Sequence, residues 1–279
     1  RDRDMGLRRF ISRSLKGMQF GMDKAIRVQV PEQDYLRALN ARWEAHGFMI
    51  SSFLDSAVLA YGDVAGQSRR KWWVEKTPSA EFHVKELARW YPGLRIIFVV
   101  RDPRANYSSL KKWRSRTHGS MSVPRFAFEW GESVERNERN GRVYPVLTLR
   151  YEDLVHEPHW CMGNVCRFLG ISFDQSLVSP SIGGQQFEGN SVFGEKFSGI
   201  STSPFDRWKQ LLSYEEVSLL EDLLGPRMRE FGYEPTARGE DLGKMSRRIL
   251  LGRLKKNLYA IHGTLPQGSK TVIRRVLSH

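Results

Sequence analysis

Residues 94–110 read LRIIFVVRDPRANYSSL, and this stretch decides the fold. Residues 94–100 are leucine, isoleucine, phenylalanine and valine with a single arginine, a run short enough for a strand and bounded by turn signals. That is how a strand buried on both faces reads in a parallel sheet. Pro92 and Gly93 stop the element before it; Arg101, Asp102 and Pro103 turn the chain, and a helix is predicted over residues 104–114.

Outward from this strand–turn–helix unit, a second helix is predicted over 124–139 and a second strand over 144–151. A short turn and a helix through Trp160, Val165 and Phe168 to Gly170 follow. On the N-terminal side, one helix is predicted over 34–61, with Leu36, Leu39, Trp43, Phe48, Phe53, Leu54 and Val58 as its apolar face. Thr77 and Pro78 read as an N-cap and first helical position ahead of Phe82, Leu87 and Tyr91. Strands separated by helices predict an α/β fold, a single domain with a central parallel sheet flanked by helices. Residues 172–206 are Gly- and Ser-rich and weakly patterned, which marks a functional or mobile loop. Ser213 and Glu216 form a capping box before Val217, Leu220, Leu223 and Leu224. Gly232 and Pro235 end the domain at about residue 235. A basic C-terminal extension, 236–279, follows with Ile249, Leu250, Leu254 and Leu258 on one helical face.

The 279 residues are 40% hydrophobic and 27% charged, as in a globular protein rather than a disordered one. The net charge of +13 sits at the ends: residues 1–30 carry +5, residues 236–279 carry +8, and 31–235 are neutral. A nucleic-acid module would carry its surplus on the folded domain, so no specific nucleic-acid partner is expected. No apolar run approaches the roughly 18 residues of a membrane span. Cys161 and Cys166 have neither disulfide-scaffold nor zinc-site spacing and read as buried helical thiols. The first residue is Arg1, so the natural start is expected upstream, where any targeting segment would also lie.

In an open parallel sheet, ligands bind beyond the carboxyl ends of the strands. Two polar clusters lie there, residues 101–109 and 150–153. Arg101 and Ser109 can grip one phosphate, the arginine with its fork of donors and the serine with one more. The alternative stays open that Arg101 pairs with Asp102 or Glu152 while Ser109 faces a neighbouring helix. Lys76, just before a helix start, can stabilise developing negative charge. The chain has no GxxxxGK[ST], which removes support for a nucleoside-phosphate kinase, and no GxGxxG for a dinucleotide enzyme. No HExxH or DxDxDG spacing points to a metal, and none is expected.

Four segments in this order resemble the sulfotransferase family: WWVEKTPSAEFHVKEL (72–87), RIIFVVRDPRANYSSL (95–110), LTLRYEDLVHEPHWCMGNVCRFLGI (147–171) and RWKQLLSYEEVSLLEDLLGPRMREFGYEP (207–235). Within the family they are most similar to bacterial sulfotransferases and Golgi protein-tyrosine sulfotransferases. The resemblance implies a P-loop-NTPase-like sulfotransferase fold and a sulfuryl donor, 3'-phosphoadenosine 5'-phosphosulfate (PAPS), with no metal. Arg101 and Ser109 match the family's 3'-phosphate pair. Tyr151 matches a tyrosine that contacts the nucleotide, and Arg207 a basic residue that reaches its phosphates. Lys76 matches a lysine at the transferring group. Residues 191–201 match a loop that closes over the nucleotide, with Ser191 as its transition-state serine.

One departure from the family pattern stands out. The Gly-, Ser- and Thr-rich loop that holds the 5'-phosphosulfate is not found between Arg1 and Glu75, and the chain is therefore expected to be N-terminally truncated. The family's catalytic base, a glutamate shortly after that loop, is then either missing with it or one of the carboxylates available here, Glu32, Asp34, Glu44 and Glu75. The reaction implied is in-line sulfuryl transfer to a hydroxyl or amine. The acceptor's class is not readable from the chain. A cytoplasmic location is expected for a bacterial protein, and a Golgi membrane if an anchor lies upstream. The alternative function is a non-catalytic protein whose basic ends bind nucleic acid or an anionic membrane, the latter through the amphipathic extension.

Overall fold

The computed structural model describes residues 30–66, 72–117, 119–182, 185–189 and 191–236. In chain order its helices and strands are α1 (Glu32–Ala45), α2 (Phe53–Val64), α3 (Val84–Trp90), β1 (Ile96–Val100), α4 (Pro103–Thr117), α5 (Val123–Gly141), β2 (Val146–Arg150), α6 (Tyr151–His156), α7 (Pro158–Leu169), β3 (Ser181–Ile182), β4 (Gln185–Gln186), α8 (Trp208–Leu211) and α9 (Tyr214–Glu230). The chain divides into two compact units. One comprises the described residues of Arg1–Pro78, Glu86–Pro92 and Gln175–Ile200; the other those of Ser79–Lys85, Gly93–Asp174 and Ser201–His279.

In the first unit α1 packs on α2 around Tyr35, Leu39 and Ala60, and Arg42 grips the Asp63 carboxylate with two hydrogen bonds of 2.6 and 2.8 Å. The single helix predicted over 34–61 is therefore two. Gly47 and Phe48 both take left-handed backbone angles, φ +63° and +56°, which no helix accommodates. The break is stabilised by the Trp43 indole, whose Nε1 donates to the Met49 carbonyl at 2.7 Å. The helix start predicted at Thr77 and Pro78 is also displaced. Thr77 donates its hydroxyl to the Glu75 carboxylate instead of capping, Ser79 is left-handed (φ +68°), and after a 3₁₀ turn at Ala80–Phe82 the helix begins only at Val84. Residues 175–200 add a short 3₁₀ turn and the two-residue antiparallel pair β3–β4.

The second unit holds the sheet. β1 and β2 pair in parallel, in register from Ile96 opposite Val146 to Val100 opposite Arg150. The core gathers Val100, Tyr107, Phe126, Trp130, Val134, Leu220, Leu224 and Met228 from β1, α4, α5 and α9. Leu220 and Met228 are fully buried, a contribution of about 1.5–3 kcal/mol each. Helices α5 and α7 both contact β2. The capping box predicted at Ser213 and Glu216 is present, with both backbone N–H groups satisfied. Cys161 and Cys166 are buried on α7, which ends at Gly170 in the left-handed conformation.

The expectation that β1 is buried on both faces is corrected: Val99 is 46% exposed and Ile96, Ile97 and Phe98 are half-buried. Among the described residues β1 has a ladder partner, β2, on one edge only. The basic extension lies outside the described residues apart from Thr236.

Candidate functional site

The parallel register does not stop with the sheet. One residue beyond the Val100–Arg150 pair, the Arg101 guanidinium carbon lies 4.8 Å from the centroid of the Tyr151 ring. Two residues beyond it, the Asp102 N–H donates to Glu152 Oε1 at 3.1 Å. The carboxyl ends of the two strands thus continue into a matched pair of polar residues, because both chains leave the sheet at the same level and turn into α4 and α6.

Among the described residues the Arg101 side chain has no hydrogen-bond or ion-pair partner, and its Nε is shielded from solvent. The Nε atoms of Arg114 and Arg150 are shielded in the same way, so what sets Arg101 apart is its position at a strand end over the Tyr151 ring. Neither carboxylate proposed as its bland partner is taken up by it. Asp102 is occupied by Arg104, through the backbone N–H at 2.8 Å and the guanidinium at 2.7 Å, and Glu152 accepts from Asp102 and from the Tyr233 phenol at 2.6 Å. Ser109 stands two turns along α4, half-buried, its hydroxyl donating to the Ala105 carbonyl at 3.1 Å and keeping its oxygen lone pairs. Ser108 bonds to the same carbonyl but is buried, so Ser109 is the accessible one of the pair.

Tyr151 meets the Phe205 ring edge-on at 5.8 Å, which brings the segment leading to Arg207 beside it. Arg207 is half-buried and immediately precedes α8. Its neighbour Trp208 is buried, with the Arg104 guanidinium 4.4 Å above its ring. Arg104 is 5% exposed, and its charge is balanced by Asp102 and by Glu221 at 2.7 Å. Burial opposes its charge, but the two carboxylates outweigh that and hold its pKa above the usual arginine value. Burial, and then the Glu152 carboxylate, push the Tyr233 phenol well up, so it stays a donor.

Four of the six predicted site residues, Arg101, Ser109, Tyr151 and Arg207, belong to this one unit. Lys76 and Ser191 belong to the other. Lys76 is exposed, in a segment, 72–77, that is neither helix nor strand. Ser191 is half-buried in a turn, its oxygen accepting the Phe193 N–H at 3.2 Å and its hydroxyl near Glu195 at 3.4 Å. Of the candidate bases, Asp34 pairs with Arg37, Glu75 accepts from Thr77, and Glu32 and Glu44 are exposed on α1. Arg104, Glu221 and Tyr233 escape the sequence reading. Glu221 had a signal: it sits among Val217, Leu220 and Leu224 on the buried face of α9, where a carboxylate must find a cation.

The model of a family described as "Sulfotransferase family" matches residues 11–175, more than half of the chain. The chain belongs to the sulfotransferase family. Among its relatives, carbohydrate sulfotransferase 2 of Mus musculus and of Homo sapiens is 30% identical over 115 residues, covering 37% of this chain and 20% of that protein. Protein-tyrosine sulfotransferase A of Caenorhabditis elegans is 24% identical over 208 residues, covering 70% of this chain and 52% of that one. The chain therefore spans about a fifth of the first of these relatives and half of the second. A solved structure, the sulfotransferase domain from the curacin biosynthetic pathway, aligns over 71% of this chain and 79% of that domain at TM-score 0.45 and 18% identity. Among the described residues no helix is long and apolar enough to cross a membrane.

Proposed function

We propose that this family member transfers a sulfuryl group from PAPS to a hydroxyl or amine acceptor. The observation that carries the reading is Arg101, a guanidinium held over an aromatic ring at a strand end, with no carboxylate partner among the described residues. That donor set fits a phosphate: planar, permanently charged and preorganised. Arg101 and Ser109 would hold the 3'-phosphate, Tyr151 would contact the nucleotide and Arg207 would reach its phosphates. When bound, the nucleotide supplies an activated sulfuryl group with a good leaving group.

The chain's own residues then position and neutralise. Arg101 cannot lose its proton at any ordinary pH, so its charge is constant while the anion is held. The positive end of α4 adds to that field. By the resemblance of their segments to the family's motifs, Lys76 would serve the transferring group as fixed positive charge and Ser191 as a hydrogen-bond donor. A carboxylate base would accept the acceptor's proton. Relatives named for carbohydrate and for protein tyrosine favour a hydroxyl as the acceptor.

Titration of the chain with 3'-phosphoadenosine 5'-phosphate tests the reading. Arg101→Ala is expected to weaken binding at least about tenfold, the value of a charged hydrogen-bond pair. Equal affinity in the two proteins overturns it.

A further inference from the structure

The backbone around Arg101 is pinned from both sides, while its guanidinium has no hydrogen-bond partner among the described residues. The Arg101 carbonyl accepts from Trp130 Nε1 at 3.3 Å. The next N–H, that of Asp102, is taken by Glu152 Oε1 at 3.1 Å, and the Asp102 carboxylate is taken by Arg104. Glu152 is in turn held: its second oxygen accepts the phenol of Tyr233, which is 4% exposed, at 2.6 Å. The other acceptor near that phenol, the Val100 carbonyl, is 3.5 Å away, so the hydrogen belongs to Glu152. Each Glu152 oxygen thus fastens one piece of chain. One reaches the turn that carries Arg101, the other the segment after α9. Glu152 itself follows Tyr151, the ring on which Arg101 rests.

Resting on the reading above, we infer that Glu152 is a positioning residue that sets Arg101 for the 3'-phosphate, and that the Tyr233 hydroxyl keeps Glu152 in place. Neither residue touches the nucleotide in this scheme. Their effect is preorganisation: the turn is ordered before the anion arrives, and binding does not pay for ordering it. Loss of the Tyr233 hydroxyl frees Glu152 to turn away from Asp102, and the turn loosens without loss of the ring beneath Arg150, which lies 4.8 Å from it.

The discriminating quantity is the ratio of Kd for adenosine 5'-monophosphate to Kd for 3'-phosphoadenosine 5'-phosphate, measured by calorimetry on the full chain. General damage to the fold weakens both nucleotides alike, whereas misplacement of Arg101 weakens only the one with a 3'-phosphate. Tyr233→Phe is expected to lower the ratio about tenfold, with the monophosphate changed by less than about twofold. Glu152→Gln, which keeps one acceptor oxygen and the side chain's shape, is expected to lower it in the same direction by less. An unchanged ratio in both variants, with Arg101→Ala abolishing it, overturns the inference. A ratio unchanged in Arg101→Ala overturns the 3'-phosphate reading itself. If Tyr233→Phe does not fold, Glu152→Gln decides alone.

Discussion

The Arg101 guanidinium carbon stands 4.8 Å from the centroid of Tyr151, one step beyond the last paired residues of the sheet. The ring gives the guanidinium a flat, low-dielectric support while leaving its N–H groups for a ligand, which an ion pair would not do.

Removal of that support is expected to show in nucleotide affinity. Tyr151→Leu should weaken 3'-phosphoadenosine 5'-phosphate binding about five- to tenfold, a cation–π contribution of about 1–1.4 kcal/mol. Tyr151→Phe keeps the ring and should stay near wild type in calorimetric titration. An equal loss in both variants would assign the effect to the hydroxyl.

Arg104 makes a stability prediction instead. It is buried between Asp102 and Glu221, and Glu221 also accepts from the Thr236 N–H at 3.0 Å. Arg104→Met strands two carboxylates and should lower the unfolding free energy in urea by about 3–5 kcal/mol. Arg104→Met combined with Glu221→Met should be less damaging than the single variant, because one stranded charge is gone.

In the first unit, the Arg42 hydrogen bond holds the Asp63 carboxyl below the usual aspartate range. A depressed folded-state value contributes stability above the unfolded pKa of about 3.9, and that contribution disappears as the pH falls through the folded value. Asp63→Asn should therefore flatten urea stability between about pH 5 and pH 2 relative to wild type. The pair is one-third exposed, so the difference at neutral pH should stay below about 1 kcal/mol.

Gly189 is left-handed, at φ +87°, and a Cβ there would stand 2.9 Å from the Phe197 ring. Both space and backbone angle exclude a side chain. Gly189→Ala should open the loop that contains Ser191. The Phe197 amide, which donates to the Glu188 carbonyl at 2.8 Å, would then exchange with deuterium at least about tenfold faster, as for a local opening made easier by over 1 kcal/mol.

Much of this was legible in the chain. The two strands, α4, α5, α7 and the capped α9 follow from short apolar runs, stop signals and the Ser213–Glu216 spacing. The position of Arg101, leaving a strand as a helix begins, was also legible. The break after Ala45 was missed because an apolar period continues through it, although Gly47 offered the left-handed turn that ends the helix. Thr77 was misread because its hydroxyl has a nearer acceptor in Glu75. Tyr233 and Glu152 were not legible as a pair: 81 residues separate them, and only the fold brings a phenol to that carboxylate.

The register of β1 against β2 carries one more consequence. In the native alignment Arg101 falls beside an aromatic ring and Asp102 beside Glu152's waiting acceptor. If β1 slid one residue backward along β2, Arg101 would face Arg150 and the apolar sides of the two strands would be inverted. The residues proposed to grip the anion therefore also penalise misalignment of the strands as the protein folds. Their replacement by neutral residues would weaken not just a ligand's hold but the chain's choice among alternative pairings.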